Sequence, residues 1–166
     1  MSIPYNRIAI TGPESSGKTT LANQLHQKLG GTLIGEYARR YLEKTGGKYD
    51  KDDLDAIALG QMRQWIPAHV HPFICDTEMT TMKIWSLEKF GKLSPLIEML
   101  CDQQRFDIYL LCRPDIPWED DPMRESPKDR ERLFDIYAKM LTAAGRPYHI
   151  IEGQDRLNLA LSILSK

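Results

Sequence analysis

The chain has 166 residues, with 22 Lys and Arg set against 23 Asp and Glu for a formal net charge of -1, and 42% of it is hydrophobic. That length suits a single domain with a full core, expected to span 1–166, and the balanced charge speaks against a nucleic-acid or membrane surface. No apolar run approaches the roughly 20 residues of a membrane span, and Met1-Ser2-Ile3-Pro4-Tyr5 lacks the apolar core of a signal peptide.

Arg7-Ile8-Ala9-Ile10-Thr11 predicts a short buried strand, and Thr20 to Leu29 predicts a helix with Leu21, Leu25 and Leu29 on one stripe. Between them, Gly12-Pro13-Glu14-Ser15-Ser16-Gly17-Lys18-Thr19 fits the phosphate-loop pattern G-x-x-x-x-G-K-[ST] at every specified position. Gly12 and Gly17 let the backbone curl so that successive N–H groups aim at phosphate oxygens, and the helix N-terminus adds partial positive charge. Lys18 is expected to reach the β- and γ-phosphates and the Thr19 hydroxyl to ligate Mg²⁺. The run from Gly12 to Thr20 therefore predicts binding of a nucleoside triphosphate, ATP with Mg²⁺.

Further strands are predicted at 32–35, 73–76, 107–112 and 148–151, alternating with helical segments. The pattern predicts an α/β fold, a five-stranded parallel sheet covered by helices on both faces. Helices follow Glu36 over 37–45 and Asp76 over 78–90, another starts at Ser94-Pro95, and a long one covers 127–145 with Ser126 and Pro127 at its start. Open parallel sheets bind ligands at the carboxyl ends of their strands. The residues ending these strands, Glu36, Asp76-Thr77-Glu78, Arg113 and Glu152, therefore fall on one rim with the phosphate loop, and Arg113 is expected at the nucleotide.

Phe73-Ile74-Cys75-Asp76 is an apolar run ending in an acid, the form of a strand that holds Mg²⁺ opposite Thr19. Asp76 is also the favoured acceptor of a substrate hydroxyl proton, with Glu36 the rival that better suits gripping the acceptor. Either acid also reads as a plain helix cap, and Glu78 as a holder of Mg²⁺ water or a solvated side chain. Residues 113–132, broken by four prolines before Lys128, predict a long loop that closes as a lid, with Arg124 and Arg130 supplying charge to the moving phosphoryl group. Surface pairing with Glu125, Asp129 and Glu131 is the alternative for these arginines. Tyr37, Tyr41, Trp85 and Trp118 are aromatics near the rim that suit a planar base or the core. Arg39 and Arg40 lie near phosphate, and His69-Val70-His71 reads as a loop before Pro72.

Cys75, Cys101 and Cys112 accompany no second cysteine or histidine at metal-binding spacing and read as core, which fits a reducing compartment, the cytoplasm.

The run Gly12 to Ala22, Glu36-Tyr37-Ala38-Arg39, Cys75-Asp76-Thr77, Ile84-Trp85 and Leu111-Cys112-Arg113-Pro114-Asp115-Ile116-Pro117-Trp118 occur in that order, followed by Asp121, Arg124 and Arg130. Together they resemble the ribosylnicotinamide kinase domain of the NadR family, from about Arg7 to the C-terminal helix. The resemblance implies an adenylate-kinase-like P-loop fold that moves the γ-phosphate of ATP to the 5′-hydroxyl of nicotinamide riboside. It also implies a small-molecule nucleoside partner held by Glu36, Tyr37, Arg39, Asp76, Trp85 and Trp118. Only six residues precede the first strand, so the adenylyltransferase part of that family is not expected here. Another nucleoside, a nucleoside monophosphate, GTP in place of ATP, and a nucleotide-dependent regulatory ATPase stay open, as does the oligomeric state.

Overall fold

Five short apolar runs build one parallel sheet in the order β2-β3-β1-β4-β5. They are β1 (Arg7–Thr11), β2 (Thr32–Ile34), β3 (Phe73–Asp76), β4 (Ile108–Cys112) and β5 (Tyr148–Ile151). The computed structural model describes residues 3–66, 70–122, 124 and 128–166. Ile8 pairs in register with Ile74 on one side and Ile108 on the other, so β1 lies at the centre of the sheet. Seven helices among the described residues pack on it: α1 (Lys18–Leu29), α2 (Tyr37–Thr45), α3 (Lys51–Arg63), α4 (Met79–Phe90), α5 (Pro95–Gln103), α6 (Arg130–Ala143) and α7 (Arg156–Leu164).

Alternation along the strands sorts the core into two layers. Ile8, Ile10, Ile74, Ile108 and Leu110 face α1 and α7, where they meet Leu21, Leu25, Ala160 and Leu164. Ala9, Phe73, Cys75, Tyr109 and Leu111 point to the other face, against residues of α2 to α6 such as Leu42, Ile57, Met82, Leu100 and Phe134. Each fully buried Leu, Ile or Phe contributes about 1.5–3 kcal/mol, so these layers supply most of the driving force. Burial pushes all three thiols up, Cys112 to about 12, and none is in a disulfide.

The strands fall within a residue of the sequence expectation. Asp107 stops short of β4, because its carboxylate accepts the backbone N–H groups of Asn6 and Arg7 at the entry of β1. Helix α1 starts earlier than expected, at Lys18, since Gly17 with φ 78° closes the phosphate loop directly onto it. Helix α6 is shorter than the expected 127–145, and the expected cap Ser126-Pro127, Glu125 and His69 lie outside the described residues. Helix α3 was not anticipated. It starts at a capping box in which Asp50 and Asp53 each accept the other's backbone N–H. Among the described residues no helix is long and apolar enough to cross a membrane.

The connection leaving β1 runs towards β2 and the one leaving β4 runs towards β5, on opposite sides of the sheet. The carboxyl ends of β1 and β4 thus flank a topological switch point, the place where such sheets open a ligand crevice.

Candidate active site

At the end of β1 the chain turns through Gly12, Ser15 and Gly17 with positive φ angles of 136°, 50° and 78°. Gly12 passes so close to β4 that a Cβ on it would meet the Cys112 carbonyl oxygen at 2.6 Å, so only glycine fits. The Ser16 hydroxyl and the Lys18 ammonium both donate to the Pro13 carbonyl at 2.7 Å, which curls the loop over the start of α1. The result is a ring of backbone N–H groups at a helix N-terminus, suited to phosphate oxygens.

Beside the loop, the Thr19 hydroxyl donates to Asp76 Oδ2 at 2.7 Å. Asp76 Oδ1 is buried with no hydrogen-bond partner. Burial pushes the Asp76 carboxyl above its ordinary range, opposed by Lys18 and by the Thr19 bond. Burial also raises Glu36, at the start of α2, with Asp76 and Glu14 adding to the rise and Lys18 and Arg39 opposing it. Two carboxylates of increased proton affinity therefore share one field with the loop lysine.

The proline-broken segment docks onto the phosphate loop through Ser15. Glu119 donates its backbone N–H to Ser15 Oγ at 3.0 Å, and Arg124 Nη1 lies 3.4 Å from the same oxygen while donating to the Glu119 carbonyl at 2.6 Å. Arg130 Nη1 donates to the Ser15 and Ile116 carbonyls at 2.9 and 3.1 Å. Across the cleft mouth, Arg39 of α2 pairs with Asp121 at 2.7 Å.

One cleft is lined by Gly12, Glu14 to Thr20, Glu36, Arg39, Thr77, Trp85 and Arg124, all anticipated from sequence, and by Leu42, Thr81, Ile116, Glu119 and Tyr137, which were not singled out. Glu14, Leu42, Trp85 and Tyr137 also border an adjoining hollow of about 330 Å³. There Tyr49 stacks on Trp85 with centroids 6.1 Å apart, Lys89 lies 4.0 Å over the Tyr49 ring, and Arg132 is held by Glu88 and Asp129.

Six anticipated residues lie off the cleft wall. Tyr37 turns towards α3, where its ring rests on Gly60 so tightly that a Cβ there would overlap it. Trp118 donates to Asp120 and is flanked by the Arg124 and Arg130 guanidinium groups at 5.9 and 5.6 Å from its centroid, inside the docked segment itself. Arg113 points away to Glu152 at 2.8 Å and lies over the Phe134 ring. Pro13 lends its carbonyl to the loop and borders the adjoining hollow. Asp76 and Arg130 sit behind the wall, bonded to the Thr19 hydroxyl and to the Ser15 carbonyl. Glu78 is fully buried, so neither the solvated reading nor one that has it hold Mg²⁺ water fits.

Arg156 was missed. It donates to the Ser16 carbonyl at 2.5 Å, to the Arg113 carbonyl at 2.8 Å and to the Gly153 carbonyl at 3.1 Å, and it pairs with Asp115. An arginine in the first turn of a helix opposes the macrodipole, and that misplaced charge is the sequence signal that it has another task.

A family model described as AAA domain matches residues 7–156, nearly the whole chain. The chain belongs to this AAA domain family. The chain is 34% identical over 145 residues to the trifunctional NAD biosynthesis/regulator protein NadR of Salmonella typhimurium, covering 81% of this chain and 35% of that protein. This AAA domain thus spans about a third of the length of that relative. The crystal structure of NadR in complex with NR superposes with a TM-score of 0.76 at 21% identity, covering 91% of this chain and 44% of that one. Thymidylate kinase from Ehrlichia chaffeensis superposes with a TM-score of 0.63 at 21% identity, covering 95% of both chains. The fold is that of P-loop nucleoside and nucleotide kinases.

Proposed function

We propose that this protein is a P-loop kinase that moves the γ-phosphate of ATP to the 5′-hydroxyl of nicotinamide riboside, giving nicotinamide mononucleotide. The observation that carries the reading is the continuity of the cleft. It runs from the phosphate loop, past Glu36, into a hollow floored by Trp85 and Tyr49 and bordered by Glu14 and Glu88. Aromatic faces and carboxylates suit a flat cationic ring. The similarity to NadR, solved with NR, supports the same acceptor.

In this reading the backbone of Gly12 to Thr20 and Lys18 hold the triphosphate, and the described part of 113–132 closes as a lid that excludes water. Thr19 and Asp76 would hold Mg²⁺. The orphaned Asp76 Oδ1 and the hydroxyl beside it are hard oxygen donors of the kind that ion takes. Bound there, Mg²⁺ would neutralise charge on the phosphates.

The carboxylates divide the work differently from the sequence expectation. Asp76 is committed to Thr19 and buried behind the wall, whereas Glu36 lines the cleft with a raised proton affinity. Glu36 therefore accepts the 5′-hydroxyl proton as the oxygen bonds to the γ-phosphorus and the bond to the β-phosphate oxygen breaks, releasing ADP. Lys18, Arg124 and Arg130 oppose the charge that moves to the leaving oxygen.

A monophosphate acceptor is less suited. At the far end of the hollow Arg132 is already neutralised by Glu88 and Asp129, and Arg40 is bonded to Gln64. The three buried thiols suit a reducing, cytoplasmic setting. A coupled ADP-release assay tests the reading across nicotinamide riboside, the common nucleosides and their monophosphates, with ATP or GTP as donor. The largest kcat/KM is expected with nicotinamide riboside and ATP. ADP release that ignores the acceptor would instead mark a regulatory ATPase.

A further inference from the structure

Glu78 is 0% exposed, yet it is the second residue after Asp76 and caps α4. A cap needs one acceptor, and Glu78 Oε2 supplies it, taking the Thr80 backbone N–H at 2.8 Å and the Thr80 hydroxyl at 2.9 Å. Serine or threonine would serve that purpose without burying a carboxylate, which is costly unless the charge is fully engaged. The second oxygen explains the longer acid. Oε1 accepts the Thr11 hydroxyl at 2.9 Å, and Thr11 is the last residue of β1, directly before Gly12. Gln104 donates to Oε2 at 2.6 Å while its own carbonyl oxygen accepts the Met79 N–H at 3.0 Å. Arg146 completes the cluster, bonding the Thr80 hydroxyl at 2.8 Å with its charge 3.9 Å from Oε2.

Between the two anchored ends lies a forced reversal. Thr77 has φ +72°, a left-handed conformation that a β-branched residue rarely adopts. Its N–H donates to the Ile10 carbonyl at 3.0 Å, and its own carbonyl accepts from Gln61 at 3.2 Å. This turn sets the direction in which Asp76 leaves β3 and meets Thr19. The elements that carry Asp76 and Gly12 are thus tied to each other from behind by one carboxylate.

We propose that Glu78 is a positioning residue for the nucleotide site: by bridging Thr11 and the first turn of α4, it fixes Asp76 relative to the phosphate loop. The proposal rests on reading Gly12 to Thr19 and Asp76 as the site of the nucleotide and its Mg²⁺, and it adds a residue that touches neither.

The test is a double-mutant cycle in the full chain, comparing Glu78→Gln and Asp76→Asn singly and together. The readouts are the ligand-free melting temperature and the affinity for a non-hydrolysable ATP analogue with and without Mg²⁺. Thr11→Val forms a second cycle with Asp76→Asn, because it removes one hydroxyl of nearly constant volume and decides the matter if Glu78→Gln does not fold. In folded protein, each substitution should weaken Mg²⁺-dependent binding by about tenfold, with Mg²⁺-free binding within about twofold. The Asp76→Asn background should abolish most of that loss, since both act through the same carboxylate. Losses that multiply independently of Asp76, or wild-type Mg²⁺-dependent affinity in a folded variant, would overturn the proposal and leave the cluster a purely structural cap. Because no acceptor or turnover is involved, absence of kinase activity in the wild type would count against the proposed function alone. Failure of the wild type to bind the analogue would overturn the nucleotide site itself.

Discussion

Lys18 shows how little of a functional side chain need be spent on packing. Its ammonium donates to the Pro13 carbonyl within its own loop, and among the described residues it makes no hydrogen bond to the core. Lys18→Ala should leave the melting temperature nearly unchanged and lower turnover by about two to four orders of magnitude, a loss of a few kcal/mol of charge stabilisation. Steady-state kinetics beside a thermal melt checks both halves. The two carboxylates behave in the opposite way. Burial raises the proton affinity of Asp76 and Glu36, so the folded state binds protons more tightly than the unfolded chain. Their contribution is fully favourable below the ordinary carboxyl range and is lost as pH rises through the raised folded values. Glu36→Gln and Asp76→Asn should therefore raise the melting temperature of the ligand-free protein at neutral pH and flatten its decline from acid to neutral, while turnover falls. Melts from pH 4 to 8 decide this, and a lower melting temperature at neutral pH in both variants would contradict the electrostatics.

At the scale of elements, the sequence was most legible where one period or one pattern dominated. The strand runs and the phosphate loop are local, and the rule that parallel sheets open at their carboxyl ends puts Glu36 and Asp76 beside the loop, whereas Arg113, at the end of β4, turns away to Glu152. Three kinds of residue escaped. Helix α3 escaped because its buried stripe is short and ends in a polar residue, Gln61, although its Asp50–Asp53 box was readable. Tyr37 and Trp118 turn away from the cleft, and an aromatic residue near a rim gives no sign in sequence of which way its ring turns. Arg156 and Glu78 escaped because their partners lie 140 and 67 residues away in the chain. Arg156 carries a prediction of its own. It pins the phosphate loop to the ends of β4 and β5 through three carbonyls, and Arg156→Met would strand those acceptors and Asp115. It should destabilise the fold by about 2–4 kcal/mol in denaturant titration and weaken ATP-analogue binding, with Arg156→Lys recovering only part. The docked segment makes a kinetic prediction. Under the proposed transfer, in which their charge acts on a phosphoryl group in motion, Arg124→Ala and Arg130→Ala should each depress kcat more than they weaken ATP binding. Unchanged kcat with altered stability would reduce both to loop fasteners.

For the whole molecule, the sheet order puts β1 between β3 and β4, and function follows from that placement. The phosphate loop leaves the centre, Asp76 ends the neighbouring strand, Glu36 lies one strand further out, and the docked segment arrives from β4 on the other side. A triphosphate along the loop and a nucleoside in the Trp85–Tyr49 hollow would then meet at Glu36. In the proposed reaction phosphorus passes between them to a 5′-oxygen. Phosphorus NMR of a reaction holding ATP, Mg²⁺ and nicotinamide riboside tests it most directly. The expected result is loss of the γ-phosphate signal with growth of a phosphomonoester coupled to the two 5′-methylene protons. No such product should form from the 5′-deoxy riboside or with Glu36→Gln. Inorganic phosphate accumulating equally with and without the riboside would contradict the account.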